Sequence, residues 1–208
     1  MIFGHQWFSA VHSKNSVLCA GLDPAIFEME RGERGLSEWA DKRKWSLNYV
    51  DAVAPYAAAL KPSLQYWRGE GDAEILKEVV ERAHSQEMVA ILDAKLADIG
   101  PTNDAGFFYT KQLGFDAVTL APYAGNMQQA GEQARNHGVG AITMCLMSNP
   151  EYEIEKNKLV PIEGERKGSD FHPRDIVQVG GRPHVKQYIY LAQSVQQFGL
   201  EGMVIGGS

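Results

Sequence analysis

The sequence predicts an α/β fold in which a strand is followed by a helix, repeated along the chain. Three observations carry this reading. Short apolar runs alternate with stretches of helical periodicity. No hairpin signal joins consecutive runs, which implies a parallel sheet or a barrel. Each run ends in polar or charged residues, at the strand end where ligand chemistry collects in such folds. Six strands are visible. The pattern fits an eight-stranded barrel, (β/α)8, with strands seven and eight absent from the sequence. A dinucleotide fold fits less well, because no G-x-G-x-x-G follows the first strand, and there is no Walker sequence. A barrel does not stop after a sixth strand, so the chain is either C-terminally incomplete or an open sheet, and the end on a bare strand favours the first. The expectation is one barrel domain over residues 1–208 with an irregular excursion at residues 151–183.

Size and composition bound the function. The 208 residues suffice for one domain with a substantial core, and 44% apolar with 22% charged residues is ordinary for a soluble globular protein. A formal charge of -6 argues against nucleic acid as a bulk partner. Cys19 and Cys145 both sit in apolar runs and form no C-x-x-C pair, so buried free thiols in a reducing compartment are expected. No apolar stretch is long enough to cross a membrane, and the N-terminus, with His5, Trp7, Phe8 and Lys14, lacks the order of a signal peptide. A cytoplasmic protein follows.

The elements run as follows. Ser16 to Leu22 is the first strand, closed by Asp23-Pro24, so Asp23 is a strand-end carboxylate. Glu28 to Gly35 is a charged loop. Leu36 to Ala59 has helical periodicity that Pro55 kinks or divides. Ala58 to Pro62 is a second strand, weak by propensity, with Lys61 held extended by the proline after it. Asp72 to Gln86 is an amphipathic helix with Asp72 at its cap. Met88 to Leu92 starts the third strand. A helix through Phe107, Phe108 and Leu113 follows from near Thr102 and ends at Gly114. Phe115 to Leu120 is the fourth strand, Asn126 to His137 a helix, and Ala141 to Met147 the fifth strand, ending in Ser148-Asn149-Pro150. That turn offers a hydroxyl and an amide to a heterocycle edge, or is simply a turn. From Glu151 to Pro183 the repeat breaks into a polar stretch with Gly164, Gly168, Gly180 and Gly181; Gly180-Gly181-Arg182 is a weak anion-site candidate. His184 to Phe198 is a helix and Gly202 to Ile205 the sixth strand.

The chemistry concentrates in the stretch from Val89 to Thr102, where Asp93, Lys95 and Asp98 stand at the exit of a buried strand. Charges there are costly unless paired with one another or with a ligand. In an extended backbone Asp93 and Lys95 point the same way, and Asp98 can fold back toward the same lysine. A lysine between two carboxylates stays protonated, as a cation or general acid and not as a Schiff-base amine. A surface ion-pair cluster is the plainer alternative. Thr102 is open to two readings, a helix cap or a hydroxyl facing a ligand beside the free helix amides.

In order, Gly21-Leu22-Asp23-Pro24, Lys61-Pro62-Ser63, Leu92-Asp93-Ala94-Lys95 with Asp98-Ile99-Gly100 and Thr102, Val118-Thr119 with Pro122-Tyr123, and Ser148-Asn149-Pro150 resemble the orotidine 5′-phosphate decarboxylase family, bacterial branch. The resemblance implies a (β/α)8 TIM barrel, a homodimer, and decarboxylation of orotidine 5′-monophosphate to uridine 5′-monophosphate with neither metal nor organic cofactor. It implies that Asp23 bonds the ribose, that Lys61 links ribose and carboxylate network, and that Asp93 lies nearest the substrate carboxylate. Lys95 then delivers the proton to C6, Asp98 and Thr102 cross the dimer interface to the partner's ribose site, and Ser148 reads the pyrimidine edge. The family grips phosphate with a glutamine-bearing loop after strand seven and an arginine after strand eight. Neither segment is in the sequence, and Arg182 precedes strand six, so it is not assigned that role. Two alternatives stand beside this one. One is a magnesium-dependent sugar-phosphate lyase or decarboxylase of the same superfamily, disfavoured by Lys61 where a glutamate is needed. The other is a non-catalytic barrel scaffold.

Overall fold

The computed structural model describes residues 3–163 and 170–207; Gly164 and Gly168 lie outside the described residues. Helix α1 (Phe3–Lys14) leads into strand β1 (Cys19–Leu22), followed by α2 (Lys42–Val53), β2 (Ala59–Pro62), α3 (Asp72–Ser85), β3 (Val89–Leu96), α4 (Gly100–Gln112), β4 (Ala117–Leu120), α5 (Met127–His137) and β5 (Gly140–Leu146). Then come a short α6 (Glu153–Lys156), β6 (Leu159–Pro161), β7 (Val177–Val179), β8 (Arg182–Lys186), α7 (Gln187–Phe198) and β9 (Gly202–Ile205). The main sheet has six parallel strands in the order β1-β2-β3-β4-β5-β9. Among the described residues the sheet is curled but open, since β1 and β9 do not pair with each other. The parallel α/β class is as expected, and the strand count of six holds for this sheet.

Alternation along the strands builds two cores. Leu22, Leu60, Ala90, Leu92, Val118, Leu120, Ala141 and Cys145 point to the helix-covered face, where they pack with Val50, Leu76, Val80, Phe107, Ala130 and Leu191. On the other face Ala59, Val89, Ile91 and Ala117 pack against Phe3 and Ala10 of α1. So α1 covers the N-terminal ends of the strands on the inner face and leaves the C-terminal ends uncovered by it. α1 presses close at Gly140, where a Cβ would stand 2.5 Å from that of Phe3. No sequence-read element corresponded to α1, although Phe3, Trp7, Ala10 and Val11 recur at helical spacing.

Several boundaries differ from expectation. The helix expected over Leu36 to Ala59 is α2 alone. Asp41 caps it by accepting from the Lys44 amide at 3.0 Å, and it ends at Val53, ahead of Pro55. Asp72 is not the cap of α3; Gly71, with φ 78°, holds that place. The Asp72 carboxylate is buried and accepts from Lys42 Nζ at 2.7 Å and from the Gly69 amide at 2.8 Å. Strand β1 alternates exposed and buried, which puts Cys19 on the opposite face from Ala20 and Leu22. Cys19 is therefore exposed, contrary to expectation, while Cys145 is buried and burial pushes its thiol up to about 11. His184 to Lys186 are strand, and α7 starts at Gln187. Strands β6, β8 and β7 form a second, antiparallel sheet over a small core of Ile162, Phe171 and Val185. Gly180 and Gly181, at φ 58° and 76°, are the two-residue turn between β7 and β8. The hairpin accounts for their left-handed conformation.

Asp116, just before β4, ties the N-terminal end of the sheet together. It accepts from the Ala90 amide of β3, from His84 Nε2 of α3 and from Gln6 Nε2 of α1, at 2.8, 2.8 and 3.0 Å. The hydrogen bond to Asp116 raises the His84 pKa above its ordinary 6.5, against the opposing effect of burial. A histidine whose folded pKa is raised contributes stability that is fully present below the unfolded value and is lost as pH rises through the folded one. The urea midpoint is therefore expected to fall as pH rises from about 6 through the raised His84 pKa. In H84Q that component is expected to be absent; equal pH slopes in the two proteins would contradict the assignment.

Candidate active site

Lys61, Asp93 and Lys95 converge at the C-terminal ends of β2 and β3. Lys61 Nζ lies 2.9 Å from Asp93 Oδ2, and Lys95 Nζ lies 2.7 Å from Asp93 Oδ1. The Thr119 hydroxyl donates to the same Oδ1 at 2.9 Å. Burial by itself raises the Asp93 carboxyl, but the hydrogen bonds from Lys95, Lys61 and Thr119 outweigh it and hold the group below its ordinary 3.8. Asp93 is thus a carboxylate between two lysines. The expected lysine between two aspartates is replaced by the converse, because Asp98 does not fold back.

The convergence of Asp93 and Lys95 does not come from simple strand alternation. Leu92 pairs with Val118 and Leu96 with Leu120, so three residues of β3 stand opposite Thr119 alone. This is a bulge, a device that re-aims side chains at the cost of ladder bonds. Within it Lys95 takes a left-handed backbone, φ 53°, which costs a non-glycine residue about 1 kcal/mol. Its amide, turned out of the ladder, donates to Thr119 Oγ1 at 2.9 Å.

The other sequence-read residues follow the C-terminal ends of the same parallel strands. Asp23, at the end of β1, accepts from the Ser63 amide at 3.2 Å, and the Ser63 backbone forms an isolated parallel β-bridge with that of Asp93. Asp98 is exposed; its carboxylate accepts from the Ile99 amide at 2.7 Å, and no bond or ion pair joins it to Lys95 among the described residues. Thr102 is the third residue of α4, whose cap position is Ile99, so the cap reading of Thr102 does not hold. Ser148 is exposed after β5 and lies against the end of β9, where a Cβ on Gly206 would approach its amide nitrogen within 2.6 Å. Among the described residues no group of three or more His, Cys, Asp or Glu is placed to hold a metal, and no helix is long and apolar enough to cross a membrane.

Two residues without an individual role in the sequence reading shape the site. Thr119 lies on the inner parity of β4, directly opposite the bulged stretch of β3, a pairing that only the register between the two strands discloses. Asn103, 1% exposed, accepts from the Asp98 amide at 3.1 Å and donates to the Asp98 carbonyl at 2.7 Å. Asn126 donates to that carbonyl as well, at 3.2 Å. The Asp98 loop is thereby fixed with its carboxylate turned outward.

A parallel α/β sheet with a lysine–carboxylate–lysine cluster at its strand exits places this chain in the class of α/β folds whose ligand chemistry collects at that rim. Residues 16–170 match the family model described as "Orotidine 5'-phosphate decarboxylase / HUMPS family", and the chain belongs to that family. An orotidine 5′-phosphate decarboxylase of Nocardioides sp. is 30% identical over 157 residues, covering 72% of this chain and 57% of that protein. One from Verminephrobacter eiseniae is 30% identical over 221 residues, covering 100% of this chain and 71% of that protein. This chain thus spans little more than half the length of the first relative. The structure of Leishmania donovani OMP decarboxylase has a TM-score of 0.70 at 23% identity, covering 99% of this chain and 70% of that one, which is a likeness of fold.

Replacing Asn103 by alanine is expected to leave the Asp98 amide without its partner and the Asp98 carbonyl with Asn126 as its remaining donor, and to cost about 1 kcal/mol in urea unfolding. A loss below about 0.5 kcal/mol, the range of an ordinary surface substitution, would contradict the role given to the clamp.

Proposed function

We propose that the site decarboxylates orotidine 5′-monophosphate to uridine 5′-monophosphate, with Lys95 as the proton donor to C6. The observation that carries the reading is the Asp93 carboxylate gripped by both Lys61 and Lys95. The C6–carboxylate bond breaks, carbon dioxide leaves, and the electron pair stays on C6 in an sp2 orbital that no adjacent group absorbs by resonance. An ammonium held beside that carbon stabilises the charge as it develops and then gives it a proton, which Lys95 regains from water. Asp93 orients the ammonium, and its charge raises the energy of a substrate carboxylate placed against it, in a contact sustained by binding energy from remote parts of the substrate.

The remaining roles belong to the same proposal. Asp23 bonds the ribose, Lys61 links ribose and carboxylate network, and Ser148 reads the pyrimidine edge. Asp98 and Thr102 serve the ribose site of a second copy across a homodimer interface, a placement supported by the outward turn of the Asp98 carboxylate. The six parallel strands are read as part of the wall of one (β/α)8 barrel domain, with residues 151–183 an excursion from it; the match to 70% of the Leishmania donovani enzyme supports this.

The test is the absorbance change of orotidine 5′-monophosphate on adding purified protein in EDTA, beside a Lys95→Ala preparation. Turnover without metal is expected, falling about a hundredfold or more in K95A. No turnover by the folded protein, or turnover restored only by magnesium, would contradict the proposal.

A further inference from the structure

The Thr119 hydroxyl bonds in a forced direction. The Lys95 amide can only donate, so Thr119 Oγ1 accepts from it, at 2.9 Å. The Asp93 carboxylate can only accept, so the one hydroxyl hydrogen goes to Asp93 Oδ1, also at 2.9 Å. That same Oδ1 accepts from Lys95 Nζ at 2.7 Å. A closed ring results, running from the Lys95 amide through the hydroxyl and the carboxylate back to the Lys95 ammonium. Thr119 itself is 2% exposed, on a strand whose neighbours Val118 and Leu120 are buried in the helix-covered core. Its position is therefore set by the packing of β4, independently of the lysine it holds.

We propose that Thr119 is a positioning residue: its hydroxyl replaces the ladder bond lost at the β3 bulge, holds Lys95 in its left-handed backbone, and so sets where the Lys95 ammonium points. The bulge leaves Lys95 without a regular partner on β4, and its φ of 53° lies in the left-handed region that a non-glycine residue seldom adopts. A hydroxyl on a β-branched side chain suits this place, since it fits a buried strand and bridges an amide donor to an anion. Valine has the same shape and fills the same space without the bridge. Serine keeps the bridge. The inference rests on the decarboxylase reading for its kinetic consequence alone; the backbone consequence stands without it.

The experiment compares Thr119→Val and Thr119→Ser with the wild type by residue-resolved amide hydrogen exchange and by turnover of orotidine 5′-monophosphate. In T119V the Lys95 amide is expected to exchange about tenfold faster or more, as a lost hydrogen bond to a charged network implies, while the Ala90 and Ile91 amides keep their protection. The turnover number is expected to fall by about tenfold to a hundredfold, with a smaller change in KM, because orientation of the proton donor acts in the transition state. T119S is expected to restore both. Unchanged Lys95 exchange in T119V, wild-type turnover in T119V, or a T119S as impaired as T119V would each overturn the proposal. If wild-type protein shows no turnover, the decarboxylase reading fails, and the Lys95 exchange rates still decide for or against Thr119. Should T119V not fold, Thr119→Ala provides the same comparison.

Discussion

The Asp93 carboxylate is the point on which the site depends. It is partly buried, and burial disfavours its charge. Three donors from three strands, Lys61 of β2, Lys95 of β3 and Thr119 of β4, restore that charge and are gathered by it. Remove the anion and two ammonium groups are left facing each other at one strand end. A cluster of this kind adds little to stability, since a buried ion pair seldom exceeds its desolvation cost. What it fixes is direction: an ammonium held against a carboxylate on one side presents its remaining protons on the other.

The two ends of the sheet use carboxylates differently. Asp116 at the N-terminal end is enclosed by backbone and side-chain donors from α1, α3 and β3 and faces the helix α1 that covers this part of the inner face. Its task is to join elements. Asp93 at the other end meets lysine heads that remain about a third to a half exposed, at 34% and 46% of their side-chain area. That division follows from the parallel topology, in which all strands deliver their last residues to one rim.

Much of this was legible in the sequence, for identifiable reasons. The parallel main sheet follows from apolar runs separated by helical periodicity, and Lys61, Asp93 and Lys95 follow from their positions at strand exits. Local patterning does not report tertiary partners, and the differences arise there. Asp72 reads as a cap but is claimed by Lys42, thirty residues away. Asp98 reads as a partner for Lys95, yet Asn103 and Asn126 hold its backbone facing elsewhere. Cys19 lies in an apolar run, but its parity puts it on the face opposite the helix-covered core. The bulge at Asp93–Lys95 has no sequence signature at all, since it places a lysine where glycine is usual; only the register against β4 discloses it. Thr119 is the counterpart of that bulge and was hidden for the same reason.

The most direct test of the account is the titration of the Asp93 carboxyl carbon in the unliganded wild-type protein, followed by NMR and assigned with Asp93→Asn. Three donors around one partly buried carboxyl predict a midpoint below the ordinary 3.8. Because the folded value is depressed, the lysine grip is expected to persist down through the ordinary range and to be lost as pH falls through the lower midpoint. A midpoint at or above the ordinary value would show that burial outweighs the donors and that Asp93 does not hold the two lysines as a carboxylate.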